Sequence, residues 1–357
     1  MLKPSIPVMK PNLPKQKDIK KYVKRMDKSR IYSNYGPLVA QLENRFSEYF
    51  GVEKELVVLC ANATLAIQGA AYLMPIQEFH VPAFTFPASV TGVLNAGKMV
   101  QFNDISLSDW KISTHGEQTE NGIVEVLPFG APLKTQENLN WNFKIIDAAA
   151  SLGSETFLFQ EMQTNWVAIF SLHATKIMGI GEGGIAVFKS KNFAEEFRSW
   201  LNFGFDGERN STLAGINGKM SEVTAAYGHA VLDNWGQEKN ERTKLREKID
   251  KISFDLSINS ITSTYPGVNP YWIVDLKDSQ TALQVEKFLD MNHVETRRWW
   301  SFGCHKMPAF VNLAGDKQFP NTEIIAQSTL GLPMFIDMTD KQLIQIRNFV
   351  LTALNSN

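Results

Sequence analysis

The sequence predicts an α/β protein whose large domain is built on a mostly parallel mixed sheet. Short apolar runs that read as buried strands alternate with helical segments through the first two-thirds of the chain. Several of these runs end on polar or turn-forming residues, where an open parallel sheet holds its ligands. The 357 residues, 44% hydrophobic and 20% charged, supply core enough for a large domain plus a smaller one.

The N-terminal "MLKPSIPVMKPNLPKQKDIKKYVKRMDK" is basic and broken by prolines. It lacks the apolar centre of a signal peptide and reads as a solvated arm or first helix. "LVAQLENRFSEYFG", Leu38 to Gly51, is an amphipathic helix with a glycine stop. "ELVVLC" is a buried strand and "ATLAIQGAAYLM", Ala63 to Met74, a small-residue helix. "HVPAFTFPASVTGVLNAG" reads as strand end, turn and helix; "KMVQFNDI" and "GIVEVLPFG" read as strands. "FKIID" is a strand ending in an acid, and "VAIFSL" a buried strand. A charged helix, "WGQEKNERTKLREKIDKI", reads as the bridge to a second unit. There "YWIVDL", "TALQVEKFLDMN", "VETRRWW" and "TDKQLIQIRNFVLTAL" suggest strand, helix, strand and helix. The expected division is 1–240 for the large domain with its arm and 241–357 for the small one.

Function classes narrow next. A formal net charge of −1 leaves no electrostatic footprint for nucleic acid. No run of about 18 apolar residues occurs, so no membrane helix is expected. Cys60 and Cys304 lie far apart without metal-ligand spacing, so no metal site is expected and a reducing cytoplasm is the simplest compartment.

"HATKIMGIGEGG", His173 to Gly184, is the most informative stretch. Gly179, Gly181 and Gly184 spell G-x-G-x-x-G. A dinucleotide loop needs a helix after the glycines, whereas here the strand-like "IAVF" follows. Lys176 sits after an apolar strand and before small residues. An amine at such a place can act as a nucleophile and form a Schiff base. The other reading is a surface lysine closing a strand.

Other strand ends add parts with two readings each. "ANAT" offers hydroxyls and helix-start N–H groups for a phosphate, or a helix cap in Asn62 or Thr64. Phe86 can stack on a flat ring or be core. Asp147 can hold the proton of a pyridine nitrogen or cap a following "AAASLG" helix. Ser171 offers a second hydroxyl for the phosphate. Together they point to pyridoxal 5'-phosphate, with Lys176 carrying it and then moving protons as general base.

These segments, from about Ile31 to the C-terminus, resemble in order the DegT/StrS family of nucleotide-sugar aminotransferases. They include "YGPLVAQLENRFSEYFGV", "VPAFTFPASVTGVLNAGKMVQFNDIS", "IIDAAASLGS", "FSLHATKIMGIGEGGIAV", "GINGKMSEVTAAYGHAVLDN" and "FPNTEIIAQSTLGLPMF". The resemblance implies the pyridoxal-phosphate-dependent transferase type I fold, with a smaller C-terminal α/β domain. Lys176 would join the cofactor, Asp147 pair with its ring nitrogen and Phe86 stack on it. Ala63, Thr64 and Ser171 would hold the phosphate. Asn217 would reach the partner's site in a homodimer. Departures from the family pattern are Ala150 for a frequent Gln, Ala63-Thr64 for Gly-Thr, Lys219 for Arg, and "RRWW", Arg297 to Trp300, in place of the usual His-Tyr after the C-terminal Arg.

The implied reaction takes an amino group from L-glutamate, through pyridoxamine 5'-phosphate, to a keto-sugar on a nucleotide. The expected substrate is dTDP-4-keto-6-deoxy-D-glucose, for O-antigen or other glycan synthesis. A 3-keto sugar or a UDP-linked 4-keto sugar is the alternative. Arg297, Trp299 and Trp300 would line the sugar pocket or pack between domains. Asn34 and Tyr35 are further substrate candidates. A regulator that binds the cofactor without turnover is the competing class.

Overall fold

Period-two alternation builds the larger sheet. Val57 and Leu59 face one core, Val58 and Cys60 the other. The computed structural model describes residues 5–114, 120–132, 140–154 and 159–356. Its larger sheet contains β1 (Val57–Cys60), β2 (Glu78–Pro82), β3 (Met99–Asn103), β4 (Gly122–Val126), β5 (Phe143–Asp147), β6 (Trp166–Ser171) and β7 (Gly184–Phe188). The spatial order is β1-β7-β6-β5-β4-β2-β3. β2 to β6 pair parallel, while β7 runs antiparallel to both β1 and β6. The carboxyl ends of six strands therefore share one edge.

Helices cover both faces. α1 (Gln16–Ser29), α2 (Pro37–Phe50) and the start of α6 (Glu222–Asp255) lie on one. α3 (Ala63–Leu73), α4 (Pro87–Asn95) and α5 (Lys191–Leu201) lie on the other. Each fully buried Val, Leu or Phe contributes about 1.5–3 kcal/mol relative to exposure. α2 begins on a buried acid: the Glu222 carboxylate accepts the N–H groups of Leu38 and Val39, both at 2.8 Å. That satisfies two donors a helix start otherwise leaves unpaired.

The C-terminal part forms a second sheet, β10-β9-β8, from β8 (Asn259–Ser260), β9 (Trp272–Asp275) and β10 (Thr329–Leu332), all antiparallel. α7 (Ser279–Met291) and α10 (Asp340–Leu354) bury Leu289 and Ile346 against Trp272 and Val274. Between α7 and α10 lie α8 (Val311–Ala314) and α9 (Pro320–Ser328). Asp104, just past β3, accepts the N–H groups of Asn321 and Thr322 and so joins the two sheets through the start of α9.

Some expectations need correction. "VETRRWW" is not a strand. Arg297 pairs with Gly331 as an isolated bridge, and β10 supplies the third strand. Trp299 lies across Gly331 so closely that a Cβ there would come 2.3 Å from Nε1, and the bulky run leaves the ladder. "AAASLG" forms turns, so Asp147 caps no helix. The charged bridge is continuous with the segment before it, since α6 runs 34 residues and passes through position 240. Ile6, on the N-terminal arm, bridges to Val294 and is buried in the core of the smaller sheet. Among the described residues no helix is long and apolar enough to cross a membrane.

Candidate active site

Lys176 lies in the turn between β6 and β7. The turn is tied to itself: Lys176 N–H donates to His173 O at 2.9 Å, and Ala174 N–H to Gly181 O at 2.8 Å. β7 follows directly and no helix intervenes, so the glycines shape the lysine turn instead of a dinucleotide loop. Gly184 lets β7 pass beneath α3, because a Cβ there would lie 2.8 Å from Ala63 N.

The start of α3 is an end that could hold an anion. The Asn62 side chain accepts the Leu65 N–H at 2.9 Å, and Asn62 O accepts the Ala66 N–H. Asn62 is thus the cap, and the N–H groups of Ala63 and Thr64 remain at the tip of the helix, where its dipole favours an anion. Ser171 is level with Gly184 across the sheet, and Gly184 is level with Cys60, so Ser171 shares this end. Its hydroxyl accepts the His173 N–H at 3.1 Å.

Asp147 closes β5 at 6% exposure. Ser89, in the first turn of α4, donates to its Oδ2 at 2.7 Å, and Thr85 shares a 2.8 Å hydrogen bond with Ser89. Ala149 N–H donates to Oδ1 at 3.2 Å. Burial pushes the carboxyl above the ordinary range; Ser89, the Ala149 N–H and the charge of Lys176 pull it back. A carboxylate held in this way suits a protonated ring nitrogen. Phe86 caps α4 one residue past Thr85, with 57% of its surface exposed, where aromatic rings are usually covered. Its face is available for stacking. The residues present therefore fit a phosphate-bearing pyridine: an anion end, a buried acid, an open ring and an amine.

The remaining sequence candidates separate. Asn217 is exposed on the segment whose Gly218 O accepts the Ala61 N–H, next to the α3 tip. Tyr35 directs its hydroxyl to Arg198 O at 3.1 Å, into the core, while Asn34 beside it is exposed. Trp300 stacks on Phe129 with centroids 4.2 Å apart and meets Phe84 edge-on. Trp299 touches Tyr271 at 4.8 Å, and Arg297 lies over Trp299 while pairing with Glu295.

Sequence reading missed Ser89 and Tyr271. Lys176 Nζ is 2.6 Å from the Tyr271 hydroxyl, which lies 95 positions away. Ser89 carried a faint signal, three residues past Phe86 in one helical turn. Tyr271 carried none, since only the meeting of the two sheets brings it there.

Comparisons with known proteins identify the family. The DegT/DnrJ/EryC1/StrS aminotransferase family model matches residues 14–351. The dTDP-4-amino-4,6-dideoxy-D-glucose transaminase of Shigella dysenteriae is 28% identical over 350 residues, covering 93% of this chain and 94% of its own. The structure of DesI in the presence of its TDP-sugar product superposes with a TM-score of 0.85 at 26% identity, covering 99% of this chain and 94% of that one. The GDP-perosamine synthase of Vibrio cholerae is 23% identical over 98% of this chain and 99% of its own. The chain belongs to the DegT/DnrJ/EryC1/StrS aminotransferase family, with its α/β fold and transaminase chemistry.

Proposed function

We propose that the protein transfers an amino group from L-glutamate to a nucleotide-linked 4-keto-6-deoxy sugar, with dTDP-4-keto-6-deoxy-D-glucose the best candidate. The observation that supports the reading is that a half-buried amine, Lys176, stands close enough to a buried acid, Asp147, for its charge to offset part of the effect of burial on that acid. The Shigella dysenteriae relative acts on a sugar of this kind, and that similarity spans nearly the whole chain.

Pyridoxal 5'-phosphate, when bound, supplies the electron sink that lets an amine's α-proton leave. The residues of this chain divide the rest. Lys176 carries the group through Nζ and moves the proton at the substrate carbon. Asp147 holds the proton on the ring nitrogen, and Ser89 orients the Asp147 carboxylate. Phe86 stacks on the ring. The N–H groups of Ala63 and Thr64 hold the phosphate together with the Ser171 hydroxyl. Asn217 of a second copy of the chain completes the phosphate site, so the active unit is a homodimer. Arg297 and Trp299 reach the sugar nucleotide.

The test is the absorbance spectrum of the purified protein with pyridoxal phosphate, before and after L-glutamate. A visible band that converts to the shorter-wavelength pyridoxamine band supports both cofactor and donor. Restoration of the visible band by dTDP-4-keto-6-deoxy-D-glucose, ahead of 3-keto, UDP-linked and GDP-linked sugars, supports the acceptor. A protein that binds the cofactor but never converts with any amine would be a regulator, and this reading would be wrong.

A further inference from the structure

Tyr271 has no part in the roles above, yet its hydroxyl is the hydrogen-bond partner of Lys176 Nζ, at 2.6 Å. The residue is 6% exposed and firmly placed. Its N–H donates to Asn269 Oδ1 at 3.3 Å, and Asn269, 2% exposed, donates in turn to Thr262 O at 3.2 Å. Phe129 and Trp299 meet its ring at 5.7 and 4.8 Å, both edge to face. The three residues directly after β5, Ala148, Ala149 and Ala150, carry only methyl side chains. A buried hydroxyl fixed by two rings and a backbone anchor makes a defined resting point for a nitrogen.

Resting on the aminotransferase reading of the site, we infer that Tyr271 is a further residue of the reaction centre: its hydroxyl oxygen accepts the proton-bearing Nζ of Lys176 and holds that nitrogen in place between its covalent and free states. Nζ is the donor in this contact and the Tyr271 hydroxyl oxygen the acceptor. Asp147 faces the lysine from β5, and His173 and Glu182 share its turn.

The test uses the full-length protein loaded with pyridoxal phosphate and reads the pH midpoint of its visible band. Tyr271→Phe keeps the ring and removes the acceptor. The midpoint should fall by about one pH unit, a tenfold loss of proton affinity. 3-Fluorotyrosine at position 271 keeps the shape but weakens the acceptor, and should lower the midpoint by a smaller amount. That second measurement carries the test if Tyr271→Phe does not fold. Single-turnover conversion by L-glutamate should slow about tenfold in Tyr271→Phe while its KM stays within about twofold, the pattern expected of a general-base partner. An unchanged midpoint would reduce Tyr271 to packing. A raised midpoint would mean that the hydroxyl donates to an anion instead, which also overturns the inference. If the unaltered protein forms no visible band at all, the aminotransferase reading itself fails, and this inference with it.

Discussion

Two regions converge on Lys176 and are built by different forces. Asp147 and Ser171 stand at strand ends and Lys176 in a tight turn, beside the hydrogen-bonded ladder of the sheet. Residues 269–300 place Tyr271, Trp299 and Trp300 by ring contacts among Phe84, Phe129 and one another. The first region offers an acid, a hydroxyl and an amine. The second offers shape and one hydroxyl. The charged candidates stand at the edge of the larger sheet, and the aromatic cluster meets them from across the junction between the sheets.

The comparison breaks most visibly if turnover survives loss of the amine. Lys176→Ala and Lys176→Arg should each lower transamination by on the order of 10⁴-fold or more, since proton transfer and the covalent link go together. The check is the absence of any spectral conversion by L-glutamate. Asp147→Asn comes next, with an expected loss of about 10²-fold in single-turnover rate, because the amide cannot hold a ring proton through charge. Its stability should move in the opposite direction. The folded-state pKa of Asp147 lies above the usual carboxylate value, chiefly from burial, so the stability linked to it is present at low pH and is lost as pH rises through that raised value. At neutral pH the cofactor-free Asp147→Asn protein should therefore melt at or above the Tm of the unaltered protein, with a flatter pH dependence on the acid side. A lower Tm would mean that the Ser89 and Ala149 contacts outweigh burial.

Ser89→Ala sharpens the same region. It removes the 2.7 Å donor to Asp147 without touching the carboxylate. One such hydrogen bond to a charged group is worth about 1.5–3 kcal/mol, and solvent entry recovers part of it. A five- to tenfold fall in kcat is expected, with the KM for glutamate nearly constant. A fall as large as that of Asp147→Asn would make Ser89 an equal partner.

The two regions also differed in how far they could be read from sequence. Asp147 and Ser171 could be singled out because each ends an apolar strand on a polar residue, and Lys176 because small residues follow it just past such a strand. The larger sheet was legible for a related reason: runs such as "VAIFSL" and "FKIID" leave little choice of conformation. Tyr271 looked like one more strand-forming aromatic, since its partner is 95 residues away. "VETRRWW" misled because β-favouring residues were read as a strand, when the size of Trp299 over Gly331 turns the chain out of the ladder. Asn62 against Thr64 was undecidable from side-chain chemistry alone; only the Leu65 N–H direction makes Asn62 the cap.

Trp300 tests the aromatic side, and its effect on chemistry should be the smallest. Its ring stacks on Phe129 at 4.2 Å and meets Phe84 at 4.8 Å, contacts that join the β2 and β4 ends of the larger sheet to the chain before α8. Trp300→Ala removes that surface and leaves a cavity, which should lower unfolding stability by about 3 kcal/mol. Denaturant melts read this directly as a lower midpoint at constant m-value. The KM for the sugar nucleotide and the single-turnover rate should stay within about threefold at a temperature where the variant is folded. The opposite pattern, an intact melt with a KM raised tenfold or more, would make the aromatic region a binding surface and place the sugar nucleotide against Trp300 itself.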